Sequence, residues 1–500
     1  MKKIRKLFIL LLAGLFLFSS CVKDAGDSTT SADGTELYIN LTNKTVSEDN
    51  EEYFELSAEN TMLIGNTVKV SLNTNGVIKV DYTSERAYDT NIHLSGSLTG
   101  GVKIQTNGEE SVNTAVYLNN VTITSTDYPC LEITKGGAAT VYLSGSNTFT
   151  DGRKYGTNYE DTEDKGAKSD NKGSLYCKGS LTIAESSSGG ALTVIQAYKN
   201  CIATKDGLLT VKSGTLSLQN FISTTENKEQ VGKCGLYGGT RIVVDGGSIT
   251  FTGQGKVTKT DIRKAHGLKA DDEDGVNTSN SITINGGNVT ITTSNGKGIA
   301  APVVNISGGS VNVTVTGEDL EYTGTWTDAD GATQSGTIKN TPKGIEGTTS
   351  LSISGGNVFV RSSKTGIDTE GNLAISGGTV VVTAAKAPFK FGDTSKFEVT
   401  GNSATIFGLG SKKAKKEGIP DPCSIKCISK IFDDEESSKQ PLGIAGVISI
   451  KEPLAYKAAV LISAKLNDDA EAENCFVQGH TLGSNGSVFI SSDTSVLIAK

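Results

Sequence analysis

Arginine, histidine, proline and tryptophan are all scarce in this chain, and the shortages close off several classes of function. The three histidines, His93, His266 and His480, stand far apart and outside any nucleophile or metal motif. A serine–histidine–acid or cysteine–histidine device therefore has little support. His93 lies in an alternating strand phrase and reads as structural. Beyond residue 35 the arginines are Arg86, Arg153, Arg241, Arg263 and Arg361, few for a reaction that needs a strong base beside an acidic site. Positive charge is not in excess. The net charge is −8, with acids gathered in short loop clusters, so nucleic acid is not an expected partner and divalent cations are. Aromatic residues make up 6% of the chain, whereas hydrophobic residues at 36% are too many for disorder. After Phe18 no apolar run is long enough to span a bilayer.

What the chain has in plenty is glycine, 59 residues, much of it placed in register. Gly246-Gly247, Gly286-Gly287, Gly308-Gly309, Gly355-Gly356 and Gly377-Gly378 each follow an apolar-polar step and precede a polar-apolar one. Two neighbouring pairs are 22 residues apart, and the other gaps are 40 and 47. A short repeat with alternating strands is the mark of a parallel β-solenoid, in which each coil buries its inward face on the next. Breaks in the period at 222–233, 254–266 and 317–341 leave the strand phase intact and belong at surface turns.

The N-terminus has a basic start, an apolar run from Leu7 to Phe18, and Ser19-Ser20-Cys21. This pattern predicts a lipoprotein signal over 1–21 with Cys21 as the lipidated residue. A flexible linker over 22–35 follows, rich in Ser, Thr, Asp and Gly. The mature chain is expected to be exported and anchored by lipid at the outer membrane or cell surface, and to be monomeric. Residues 36–80 read as a β cap, 81–410 as the solenoid, and 411–500 as a small C-terminal β domain over the far end. Cys201 and Cys234 both stand thirteen residues before a coil-closing glycine. They are expected in one column, as a disulfide or as a buried thiol ladder.

Acids are the chemical lead. Glu346 and Asp368 are 22 residues apart, each after a Gly-Ile step, so register predicts their carboxyls about 5 Å apart. Such a pair needs a shared cation, or one of the two must take up a proton. Oxygen-rich sites of this kind suit Ca²⁺. Asp271, Asp272 and Asp274 form the densest cluster, although their spacing fails the EF-hand pattern, and Asp206 and Glu370 share a second column. Lys205, Lys269 and Lys343 lie beside these acids, where a cation could pair with an acidic sugar. Tyr237, with Tyr155, Tyr198 and Trp326, is a candidate ring for sugar stacking.

The phrases Leu94-Ser95-Gly96-Ser97-Leu98, Val116 through Ile123, Tyr198 through Asp206, and Gly366-Ile367-Asp368 leading to Ile375-Ser376-Gly377-Gly378-Thr379-Val380 resemble the bacterial carbohydrate-binding β-helix family. The likeness covers roughly residues 80–410. It implies a right-handed parallel β-helix close to the pectate lyases, bound calcium, and cellulose or polygalacturonate as ligand. It also implies acids after the Gly-Ile phrases, at Asp206, Asp271 and Asp368. Cys201 departs from the usual glycine, and the phrases Gly235–Gly238 and Gly298–Ala301 carry no acid. The expected function is a surface-anchored lipoprotein that binds an extended plant-type or acidic polysaccharide along a calcium-loaded β-helix, with no catalytic residue. A calcium-dependent pectate-type lyase and a surface adhesin are the alternatives.

Overall fold

The computed structural model describes residues 36–410, apart from internal stretches of which 153–172, 221–232, 83–89, 106–112 and 271–277 are the longest. It also describes separate strands between Ile425 and Ser491. All regular structure among these residues is β-strand.

The strands pair in parallel with strands one coil later and form three columns. The last regular coil shows the plan: Lys343–Gly347 pairs with Thr365–Thr369, Ser350–Ile353 with Asn372–Ile375, and Asn357–Ser362 with Thr379–Ala384. Ile345 stands over Ile367, Leu351 over Leu373 and Val358 over Val380, so all three strands advance by the same 22 residues. We call these columns A, B and C in chain order within a coil. The solenoid reading holds.

Inward residues of all three columns, mostly Val, Ile and Leu, make one continuous core running from Leu37 to Phe391. The alternation is clean where the outer face meets water. Asn288–Ser294 in column C reads exposed, buried, exposed, buried along most of its length, as a sheet solvated on one side should.

The glycine pairs mark the B-to-C corner. The second glycine of each pair has φ between +76° and +80°, a conformation that costs glycine nothing and other residues more. At the first glycine there is no room for a side chain, since a Cβ on Gly308 would lie 2.3 Å from the carbonyl oxygen of Asn285 in the coil before. At the C-to-A corner Gly344 is likewise excluded from carrying a Cβ, which would sit 2.1 Å from Val360 Cγ1.

Glu36–Asn40 and Val77–Tyr82 already pair in parallel with Asn91–Thr99 and Gly101–Gln105, as first rungs of columns B and A. Antiparallel strands Thr45–Glu48 and Val68–Leu72 flank them. The break at 317–341 is an antiparallel hairpin of Leu320–Thr327 with Thr333–Asn340. Near the far end Phe397–Gly410 pairs antiparallel with Ser487–Ser491, which also pairs with Ile425–Ile428. The signal and linker residues, Cys21 included, lie outside the described residues, as does His480.

The cysteine column is corrected by one residue. Ile202 stands over Leu236, so Cys201 faces Gly235 and Cys234 faces Asn200, whose side-chain oxygen accepts the Cys234 N–H at 3.2 Å. The cause is turn length: three residues, 205–207, separate the column A and B strands in one coil, and two, 239–240, in the next. Cys130, Cys177, Cys201 and Cys234 are buried free thiols. Burial pushes the Cys177 thiol up to about 12, which leaves it protonated and inert.

Candidate functional site

Column A differs from the others because several of its rungs are buried at the outward positions as well as the inward ones, while His266, Lys269, Lys297 and Lys343 are half-buried and Lys390 is exposed. Gly173–Cys177, Asn200–Thr204, Cys234–Gly238 and Thr365–Thr369 are buried at all five positions. In the repeated phrase X-Gly-Ile-X, the glycine and isoleucine face the core and the flanking residues face out. The second X forms one ladder through Glu132, Tyr176, Ala203, Tyr237, Lys269, Ala300, Glu346, Asp368 and Lys390. The first X forms another through Cys234, His266, Lys297, Lys343 and Thr365.

Glu346 and Asp368 are neighbours in register, as the 22-residue spacing predicts, and both are buried. The cation shared between them is an ammonium. Lys343 Nζ donates to Glu346 Oε1 and lies 2.7 Å from Asp368 Oδ2. Lys297 Nζ donates to Glu346 Oε2, and Lys390 Nζ donates to Asp368 Oδ1 and Oδ2 at 3.1 and 3.3 Å. Desolvation alone would raise the Glu346 carboxyl, but Lys297 and Lys343 outweigh it and hold the group below its ordinary value. Lys343 is desolvated too, yet Glu346 and Asp368 hold it above the ordinary lysine value.

This donor set does not fit calcium. All four carboxylate oxygens already accept from ammonium groups, whereas Ca²⁺ asks for six to eight oxygen ligands. Among the described residues no group of three or more acids, histidines or cysteines stands ready to hold a metal. Glu346 and Asp368 as calcium ligands are therefore corrected to partners in a lysine–carboxylate ladder.

The other expected residues are placed as follows. Lys205 and Asp206 are exposed in the turn after Thr204. The acid position of that coil is Ala203, four rungs from Glu346, roughly 19 Å at the usual strand spacing. Asp206 is thus not brought to the Asp368 site. Lys269 stands two rungs from Glu346, with Ala300 between, and Lys343 is central. Tyr237 is corrected: it is 5% exposed and packs with Tyr176, Ala203 and Cys234 in a buried cluster outside the main core, so it offers no ring face to a sugar. Asp271, Asp272 and Asp274 lie outside the described residues, as do Tyr155 and Tyr198.

Four residues of this site escaped the sequence reading: Lys264, His266, Lys297 and Lys390. Lys297 and Lys390 were within reach, since each stands at a flanking X of a Gly-Ile-like phrase. His266 accepts the backbone N–H of Lys297 at Nδ1, 3.2 Å away. Burial, then Lys269, Lys297, Lys264 and Lys233, hold this imidazole well below its ordinary value, so it is neutral. Lys264 is half-buried and held low by desolvation and by Lys297, against a smaller opposing pull from Glu346.

Column B carries a different ladder on its outer face. Tyr38, His93, Tyr117 and Tyr142 stack with centroids 4.5, 4.5 and 4.7 Å apart and ring planes within 15°. Glu36 pairs with His93 and accepts from Asn91 Nδ2 at 2.7 Å. His93 is structural, as expected. The inner rings, His93 and Tyr117, use both faces on their neighbours.

Residues 74–388 match the family model described as carbohydrate-binding domain-containing protein. No curated protein matches the sequence. Among solved structures, the polysaccharide lyase-like protein from C. thermocellum, a gadolinium derivative, is similar at 15% identity and a TM-score of 0.38, over 74% of this chain and 97% of that one.

Proposed function

The chain belongs to the carbohydrate-binding domain-containing protein family, and from that premise we propose that it binds an extended polysaccharide along the part of column A between His266 and Lys390 where lysines reach solvent. One observation carries the reading. The strands of this column bear two outward ladders with a polar or charged residue on most rungs from Cys234 to Lys390. A linear polymer with repeating hydroxyl or acidic groups matches a surface whose own groups repeat every 4.8 Å or so. Columns B and C repeat as well, but column C presents mainly Thr, Ser and Asn. The coils wind right-handed in this reading, the hand that parallel crossovers take. The lipid anchor at Cys21 would place this rod at the cell surface. Any calcium dependence would belong to Asp271, Asp272 and Asp274, because Glu346 and Asp368 are occupied by lysines.

Binding is preferred to cleavage on the placement of the arginines whose side chains are described; Arg86, Arg153 and the Arg263 side chain lie outside the described residues. Arg241 lies in column B and Arg361 in column C, both exposed, away from the acids of column A. A lyase of pectate type would need a base beside them. The test is a pull-down across insoluble and soluble polysaccharides, with and without a chelator, run beside an assay for unsaturated sugar ends. Retention on at least one polymer with no gain in ultraviolet absorbance is expected. Retention on none would overturn the reading, and release of unsaturated ends would turn it to the lyase.

A further inference from the structure

Four long breaks of the repeat share one corner. Residues 152–172, 221–233, 255–265 and 317–342 each lie between a column C strand and the column A strand that follows it. Insertions that gather on one side of a solenoid commonly mark its binding side. The break at 317–342 carries the Leu320–Thr327 and Thr333–Asn340 hairpin, and neighbouring coils turn the same corner without one. Thr316 stands over Ser294 and Lys343 over Lys297, yet the earlier coil joins those positions through Asn295-Gly296 alone. The coil after uses Ser363-Lys364.

Both of these coils hold the base of the hairpin. Asn340 is fully buried, and its Nδ2 donates to Asn295 Oδ1 at 3.2 Å and to the Glu318 carbonyl at 2.6 Å. From the other side Lys364 Nζ donates to Asp319 Oδ1. An inserted segment fixed in place on a rigid scaffold is where binding groups concentrate.

The two faces of the hairpin differ. On one, Glu321 pairs with Lys339 at 3.2 Å and Thr323 with Thr337 at 2.9 Å, so polar groups are matched across the strands. The alternate positions Leu320, Tyr322, Gly324 and Trp326 belong to the other face, with Gly336 opposite Gly324. Tyr322 is half-buried, and the end of its ring leans over Gly324. A Cβ at Gly324 would lie 2.6 Å from the tyrosine oxygen and 2.7 Å from Cζ. With glycine on both strands, no side chain walls the ring in at that rung. Column A supplies lysines and acids beside the hairpin, but its own tyrosines, Tyr176 and Tyr237, are buried.

We propose that this hairpin is a sugar-binding arm of column A, in which the Tyr322 ring stacks against a pyranose unit of the polysaccharide. The inference rests on the polysaccharide reading and adds to it a residue that reads the sugar ring rather than its charge. A pyranose suits the place because its C–H face meets an aromatic face while its hydroxyls stay at the rim, near the polar tip of a tyrosine. The arm is continuous with the lysine stretch, since Lys343 follows three residues after Asn340.

The test uses the full chain as wild type, Tyr322→Ala, Tyr322→Trp, and a form with residues 317–342 replaced by Asn-Gly, the turn of the earlier coil. Thermal unfolding checks that each is folded. Affinity electrophoresis through polygalacturonate, hydroxyethyl cellulose, xylan and dextran reads binding. At least one polymer should retard the wild type. Affinity should fall about three- to tenfold in Tyr322→Ala and in the shortened chain, and recover in Tyr322→Trp, as one aromatic stacking contact requires. Trp326, the single tryptophan of the chain, should change its emission when that polymer is added to the wild type. A wild type retarded by none of the four overturns this inference together with the polysaccharide reading. A folded Tyr322→Ala that binds as well as wild type, or Trp326 emission unchanged at saturation, overturns this inference alone. Tyr322→Ala decides whether or not the shortened chain folds.

Discussion

Columns A and C are built from the same 22-residue step in the last regular coil, yet column C is wet along its outer face and column A only in part. In column C, Asn288–Ser294 exposes every other residue, and those residues are Asn and Thr. In column A, Thr365–Thr369 is buried throughout, and the outward positions hold Lys, Glu, Asp, His and Tyr. A solvated face tolerates almost any polar residue, so its identity says little. On a covered face every charge must find a partner. Column A is therefore where the chain's chemistry can be read, and where substitutions should matter.

The largest contrast should come from removing one acid. Asp368→Ala leaves Lys343 with Glu346 alone and strips the buried end of the ladder, whereas Thr290→Ala removes an exposed hydroxyl from column C. Breaking a buried pair from one side costs about 3 kcal/mol, and an exposed polar substitution stays within about 0.5 kcal/mol. Urea titrations of the two variants should differ by that margin. Equal midpoints would mean that the cover over column A does not exclude water.

Much of this was legible beforehand, and the failures have physical causes. The glycine pairs carried the solenoid because a positive φ and a carbonyl within 2.3 Å leave no other residue a place. The Glu346–Asp368 contact followed from equal spacing within one unbroken coil. The cysteine column slipped by one because a turn lost a residue between coils, and counting from a distant glycine carried that loss along. The calcium expectation at Glu346 and Asp368 left out Lys297 and Lys390, each one coil away, and set Lys343 against a sugar although its ammonium pairs with the two acids themselves. Lys264 had no signal of its own, since it precedes the phrase in a broken stretch of the repeat, whereas His266 stands at the first X of His266-Gly267-Leu268-Lys269, in the position of Lys297. The aromatic ladder on column B was missed because its four rings come from separate strands of different spacing.

Acid sharpens the comparison further. His266 is held below its ordinary value, so below about 6.5 the unfolded chain takes up a proton there that the folded chain refuses, and stability falls as pH drops. Glu346 is also held low: its contribution is present above about 4.5 and is lost as pH falls through its lower folded value. Denaturation midpoints should thus decline in two stages below neutrality. Asn in place of His266 should flatten the upper stage and spare the lower. A decline unchanged by His266→Asn would place its source outside column A.

The smallest effect lies in column B, whose aromatic ladder stops abruptly. Tyr142 stacks on Tyr117, but the next rung is Ala184, half-buried and too small to meet the free ring face. An aromatic pair contributes about 0.5–1.5 kcal/mol beyond the area it buries. Ala184→Tyr should therefore extend the stack and raise stability by about 0.5 kcal/mol, while Tyr142→Leu should lower it by a similar amount. Because both changes lie on the outer face of column B, neither should alter polysaccharide retention on column A. Thermal unfolding of the two variants, run beside the pull-down, separates the faces. If Ala184→Tyr gains nothing while Tyr142→Leu still loses, the rings are held by their strands and contribute little to each other.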